Sequence, residues 1–89
     1  MRHQEGFRMR KLGREHFVVA EGRKLIDFNK MIKLNDSAAY LWEETDGKEF
    51  SVEDLAKLLE DKYGIDHETS MKDSAKIAGV WVEIGIVAE

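Results

Sequence analysis

The run Leu34-Asn35-Asp36-Ser37-Ala38-Ala39-Tyr40-Leu41-Trp42, followed by Asp46-Gly47 and then by Ser51-Val52-Glu53-Asp54-Leu55, constrains the fold of this chain more than any other stretch. It reads as a strand end, a capped helix, a glycine turn and the start of a second helix. The Asn35 side-chain oxygen can accept from an orphan backbone N–H of the first turn, so Asn35 is a natural N-cap. Ala38, Leu41 and Trp42 then fall at i, i+3 and i+4 and make one apolar stripe. Gly47 stands where positive φ is cheap, which lets the helix stop.

The flanks of this segment differ in period. Residues 7–12 and 16–20 read as two strands joined around Gly13, a hairpin, and Phe17-Val18-Val19 is aromatic and β-branched as strands prefer. Leu25-Ile26-Asp27-Phe28 reads as extended or as an irregular loop. Lys30, Met31, Ile32, Lys33 and Leu34 form a third strand, with Ile32 and Leu34 on one face and Met31 and Lys33 on the other. Helix one covers about residues 37–44. Helix two opens at Ser51, where Ser51-Val52-Glu53-Asp54 approximates a capping box, and ends at Gly64. Its apolar positions Val52, Leu55, Ala56, Leu59 and Tyr63 have helical spacing. A third helix runs from residue 67 or 68 to 84 and closes at Gly85. The fold class predicted is α+β, a winged-helix-like single domain over residues 1–89 with a three-stranded antiparallel sheet followed by three helices. Trp42, Leu55, Leu59 and either Ile77 or Trp81 are expected in its core.

Composition removes several functions. With 43% hydrophobic and 36% charged residues the chain is globular rather than disordered. There is no cysteine, hence no disulfide, thiolate metal site or cysteine nucleophile. His3, His16 and His67 lack the i, i+4 spacing that puts two imidazoles on one metal, and read as surface histidines. Neither a metal nor a cofactor is expected. No apolar run approaches bilayer length and none follows the amino-terminal charges, so a soluble, cytoplasmic protein without a signal peptide is expected.

A net charge of −4 weighs against nucleic acid, whose phosphates require a basic face. A local basic patch exists in Arg2, Arg8, Arg10, Lys11 and Arg14; it is either a solvated strand face or a dock for an acidic leader peptide. In a winged-helix DNA-binding or regulatory domain the third helix would read bases. Here it offers Lys72 and Lys76 against Glu68, Asp73 and Glu83. Catalysis by the chain alone is not expected, for there is no nucleophile turn, phosphate cradle or suggestive carboxylate pair. The acidic residues of helix two, Glu53, Asp54, Glu60 and Asp61, mostly lie off its apolar stripe and read as a solvated face.

The third helix carries two apolar faces. Ile77, Val80, Trp81 and Ile84 cluster on one side, an ordinary core face. Met71, Ala75, Ala78 and Val82 cluster nearly opposite, with Gly79 beside them. A helix apolar on two sides must bury both or leave one for a partner. Gly79 costs about 0.5–1 kcal/mol against alanine in a helix interior, so a close backbone approach would account for it. Either the helix packs tightly on its own domain there, or these small residues form a shallow groove beside the third strand.

The Leu34-Asn35…Ser37-Ala38…Leu41-Trp42…Asp46-Gly47 pattern resembles that of the PqqD-like family, small peptide chaperones or recognition elements for ribosomally made peptides that are later modified. The resemblance spans about residues 7–87. It implies that an extended leader peptide adds as a strand to the third strand and packs against the third helix. By position, the peptide-binding residues would be Lys30, Met31, Ile32, Lys33 and Leu34 on the strand and Met71, Ala75, Ala78, Gly79 and Val82 on the helix; Asp73 matches an aspartate of the family's last helix. Two departures stand out: Ala20-Glu21-Gly22 where quinone-pathway members carry Pro-Glu-Gly, and Ile77 and Trp81 where the family has phenylalanine and leucine. The resemblance therefore implies a partner of a radical SAM or related peptide-modifying enzyme, without assigning the chain to quinone-cofactor synthesis.

Overall fold

The computed structural model describes the backbone of residues 1–21 and 26–89, and the side chains of all of these except residues 21 and 26–30. Its elements in chain order are β1 (Arg2–His3), β2 (Phe7–Leu12), β3 (Glu15–Glu21), β4 (Ile26–Leu34), α1 (Asp36–Glu44), α2 (Val52–Tyr63), α3 (His67–Ile84) and β5 (Val87–Ala88). β2, β3 and β4 form an antiparallel three-stranded sheet in that order, followed by the three helices, the α+β arrangement that the periodicities predict. Of the ambiguous segment, Ile26, Asp27 and Phe28 belong to β4, whereas Leu25 lies outside the described residues.

The local signals act as the sequence implies. Leu12 pairs with Glu15, so Gly13 and Arg14 alone make the hairpin loop. Gly13 has φ +63° and no non-glycine residue among those described has positive φ, which fits a II′ turn with glycine first. The Asn35 side chain accepts from Ala38 N at 2.8 Å. The capping box is complete: Ser51 Oγ accepts from Asp54 N at 3.1 Å, and Asp54 accepts from Ser51 N at 2.9 Å. Asp66 caps α3 by accepting from Thr69 N at 3.1 Å. That bond to the charged form holds the Asp66 carboxyl below its ordinary 3.8.

One face of the sheet supplies core. Phe7, Met9, Val18, Ile32 and Leu34 are in or packed on a cluster with Leu41, Trp42, Leu55, Leu59, Ala78 and Trp81. Arg8, Arg10, Leu12 and Phe17 alternate onto the other face. The β3–β4 register shifts between Val18, which pairs with Ile32, and Ala20, which pairs with Asp27. Trp81 is the buried member of the expected pair, at 2% exposure, and Ile77 is half-buried. Tyr63 departs from the helix-two stripe: it is exposed, and its ring meets Tyr40 edge-on with centroids 6.3 Å apart.

A second, two-stranded sheet has no counterpart in the sequence reading. β1 pairs with β5, Arg2 opposite Ala88 and His3 opposite Val87, and Gln4 N donates to Ile86 O at 2.9 Å. Phe50, Ile86 and Val87 are thereby buried. His3 is no surface histidine. Its ring stacks on Trp42 at 3.6 Å between centroids and 13° between planes, and Phe50 meets it edge-on at 5.9 Å. Thr45 Oγ1 donates to Leu41 O at 2.8 Å, so it accepts from His3 Nε2 at 2.9 Å. His3 Nδ1 then faces Asp46 Oδ1 at 3.7 Å. Burial pushes the imidazole below its ordinary 6.5, with Asp46 opposing more weakly.

Candidate functional site

Sheet order leaves β4 at an edge: among the described residues no strand pairs with its outer side. Edge N–H and C=O groups without ladder partners are a template for another extended chain. Beside that edge lies a groove of about 450 Å³, and each wall has a local cause. β4 contributes Ile32, Lys33 and Leu34, where alternation sends Ile32 and Leu34 inward and Lys33 outward. The capped start of α1 contributes Asn35, Ser37 and Ala38, since the Asn35 cap turns the chain sharply from strand to helix. Leu59 and Ile65 form the floor where α2 ends, and α3 closes the far side with Asp73, Lys76, Ile77, Val80 and Trp81.

The groove is apolar at its base and charged at its rim. Leu34, Ala38, Leu59 and Trp81 are buried, Ile32, Ile65 and Ile77 are half-buried, and Val80 is 45% exposed. An exposed valine on a groove wall is apolar surface available to a ligand. Lys33, Asp73 and Lys76 are exposed around it. The Lys33 ammonium donates to Glu15 Oε1 at 2.9 Å across the sheet. A pattern of apolar holes beside unpaired backbone groups suits an extended peptide: main-chain bonds give affinity and alternate side chains give selectivity.

On the strand, Ile32, Lys33 and Leu34 line the groove; Met31 is half-buried and outside its lining, and Lys30 belongs to β4 with its side chain outside the described residues. On α3 the arrangement is the reverse of the one expected. None of Met71, Ala75, Ala78, Gly79 or Val82 lines the groove. Ala78 is core, 3% exposed, on a buried stripe with Ser70, Ser74 and Trp81. Met71 and Val82 are half-buried, and Ala75 and Gly79 face solvent. A Cβ on Gly79 would meet nothing within 4 Å, so no close approach of a described residue requires glycine there.

The physical reason is helix–helix packing. α3 packs most extensively on α2, and axes approach closely only where contact residues are small. Small residues therefore go inward, and the larger Ile77 and Val80 are left beside the strand. Ser70 and Ser74 gave no signal because serine reads as polar; both are fully buried. Lys76, one of the two cations the sequence offers on this helix, and Asp73, the match to the family aspartate, are rim residues of the groove.

A second hollow, of about 880 Å³, lies between the β1–β2 turn and the Asp46-Gly47-Lys48 turn. Its walls are the β1 and β2 residues that flank the first turn, together with turn residues and charged side chains. Among the described residues no cluster of three histidines or carboxylates could hold a metal ion, and no helix is long and apolar enough to cross a membrane. No curated protein and no solved structure was found to match the chain. Residues 15–87, which carry both walls of the β4–α3 groove, match the model of the coenzyme PQQ synthesis protein D (PqqD) family, and the chain belongs to that family.

Proposed function

We propose that this chain is a non-catalytic peptide chaperone, which binds the leader of a ribosomally made precursor peptide and presents it to a modifying enzyme, of the radical SAM type. The leader adds as a fourth strand on the outer edge of β4, along Lys30, Met31, Ile32, Lys33 and Leu34. Its inward side chains pack on Ile77, Val80 and Trp81 rather than on the small residues opposite. The observation that carries this reading is the unpaired β4 edge facing an apolar helix wall across a groove of about 450 Å³. Family membership supports a client associated with coenzyme PQQ synthesis.

Val80→Glu tests it. The substitution places a carboxylate on an exposed groove position, which folding tolerates and an apolar side chain of the peptide does not. Titration with the precursor peptide encoded beside this gene should shift the amides of residues 31–34 and 76–81. Val80→Glu should abolish those shifts with the circular dichroism spectrum unchanged. Shifts confined to the β2–β3 hairpin would overturn the reading, as would undiminished binding by Val80→Glu.

A further inference from the structure

The α3 wall of the groove carries two charged side chains that the fold leaves free. Asp73 and Lys76 both line the groove and are exposed. Neither side chain enters an ion pair or a hydrogen bond among the described residues. Lys33, the charged residue of the opposite wall, is already engaged by Glu15 at 2.9 Å. Charge in the groove that awaits a partner therefore stands on α3.

The two charges do not stand alike. At about 100° per residue, Ile77 and Val80 fall within about 40° of Asp73 around α3, so the carboxylate shares a row with the apolar wall. Lys76 falls about 60° from Asp73, on the side away from the buried stripe of Ser70, Ser74 and Ala78. It stands at the lip, where its flexible stem keeps the ammonium in water. The groove follows α3 for two turns, from Asp73 to Trp81. Along the axis, Ile77 lies about 6 Å beyond Asp73 and Val80 about 10.5 Å beyond it. An extended peptide advances about 6.6 Å every two residues. Successive inward side chains of a strand laid in the groove therefore meet Asp73 first, Ile77 second, and Val80 with Trp81 third.

We propose that Asp73 is the residue that selects the client by charge. The groove takes an extended segment with a basic side chain two residues from the first of two apolar side chains, themselves two residues apart. The inference rests on the groove reading and adds the charge pattern that the groove selects. Burial of the apolar pair against Ile77, Val80 and Trp81 gives affinity. The basic residue gives discrimination, because an acidic one in its place would face the Asp73 carboxylate. The pattern holds with the strand in either direction, basic residue first or last.

Two blocked peptides probe the pattern: acetyl-Thr-Lys-Thr-Val-Thr-Val-Thr-amide and the same residues in reverse order. Their ends carry no charge, and valine and threonine favour extended backbone. The order that fits should bind saturably and shift the amides of residues 31–34 and 73–81. Glu in place of the peptide's Lys should weaken that binding roughly fivefold, the scale of one exposed charge contact. Asp73→Asn should erase the difference between the Lys and Glu peptides, and Asp73→Lys should reverse it. Lys76→Gln should leave the preference in place. Both positions are exposed, so the circular dichroism spectrum should not change. Raising salt from about 0.02 to about 0.2 M should shrink the preference, since the contact is screened. Equal binding of the Lys and Glu peptides, with the groove amides shifted, would overturn the inference and leave the groove reading standing. A preference for Glu that Lys76→Gln removes would overturn it too, and would make Lys76 the selecting residue. Val80→Glu should abolish binding of every peptide; undiminished binding by that variant would bring down the groove reading and the inference with it.

Discussion

The two sides of α3 teach opposite lessons about small and large residues. One side, Ser70, Ser74, Ala78 and Trp81, is buried, and three of its four residues are small. The other, Asp73, Lys76, Ile77 and Val80, carries larger side chains and lines the groove, which Trp81 also reaches from the boundary between the two sides. A stripe of small residues is commonly read as a surface left open for a partner. Here smallness is what lets α3 lie close to α2, and the β-branched residues are what remains for a ligand. Burial depends on which element the helix meets, and size then follows from how closely the two must approach.

The largest expected effect tests that assignment directly. Ala78→Arg puts a guanidinium into a site 3% exposed, with no buried carboxylate among the described residues to receive it, so the chain should fail to fold. Circular dichroism and the near-ultraviolet signal would report this at once. A folded Ala78→Arg would show that the buried stripe is a groove after all. Next in size is Trp42→Ala. Trp42 is stacked under His3 and meets Trp81 edge-on at 5.3 Å, so truncation should cost about 3–5 kcal/mol in denaturant unfolding. A loss below about 1 kcal/mol would detach Trp42 from the core that anchors the buried stripe.

Gly79→Ala should go the other way. Gly79 sits in the helix interior, exposed, with open space where a Cβ would be. Alanine should therefore stabilise the chain by about 0.5–1 kcal/mol. A loss on substitution would mean that something packs on Gly79. Chemical unfolding of the two proteins decides it. Ser74→Ala sharpens the comparison at smaller scale: Ser74 Oγ is buried without a hydrogen-bond partner, so removing it should leave stability unchanged or slightly higher. A clear loss would reveal a partner for the hydroxyl.

These positions also show what a sequence can carry. Caps and turns are local, so Asn35, Ser51 with Asp54, Gly64 and Gly85 were legible from neighbours a few residues away. The hairpin and the strand that forms the groove's near wall were legible for the same reason. The β1–β5 pairing was not. Two-residue strands have no period, and their partners stand at opposite ends of the chain. The far wall of the groove failed for a third reason. α3 has two apolar stripes, and helical spacing alone ranks neither; only the identity of the helix across from it does.

The smallest effect at neutral pH belongs to His3, and it separates the two sides of α3 in another way. His3 packs on Trp42, which packs on Trp81, so its charge bears on the buried stripe. Burial holds the folded imidazole below its ordinary 6.5, and the facing carboxylate of Asp46 offsets only part of that. The unfolded chain thus binds the His3 proton more readily than the folded one. By linkage, stability rises with pH across the interval between the two values and falls as pH drops below 6.5 through it. Asp66 acts in a different window: its depressed carboxyl gives stability above 3.8 that is lost only in stronger acid. Urea unfolding at stepped pH should therefore show a decline beginning near pH 6.5, and His3→Gln should flatten that decline while leaving the acid limb in place. Groove affinity should hold across the same step for as long as the chain stays folded, because the groove's lining contains no histidine. An affinity that fell with pH ahead of unfolding would show that the Trp42–Trp81 contact transmits the charge to the groove wall, and that the two sides of α3 do not act independently.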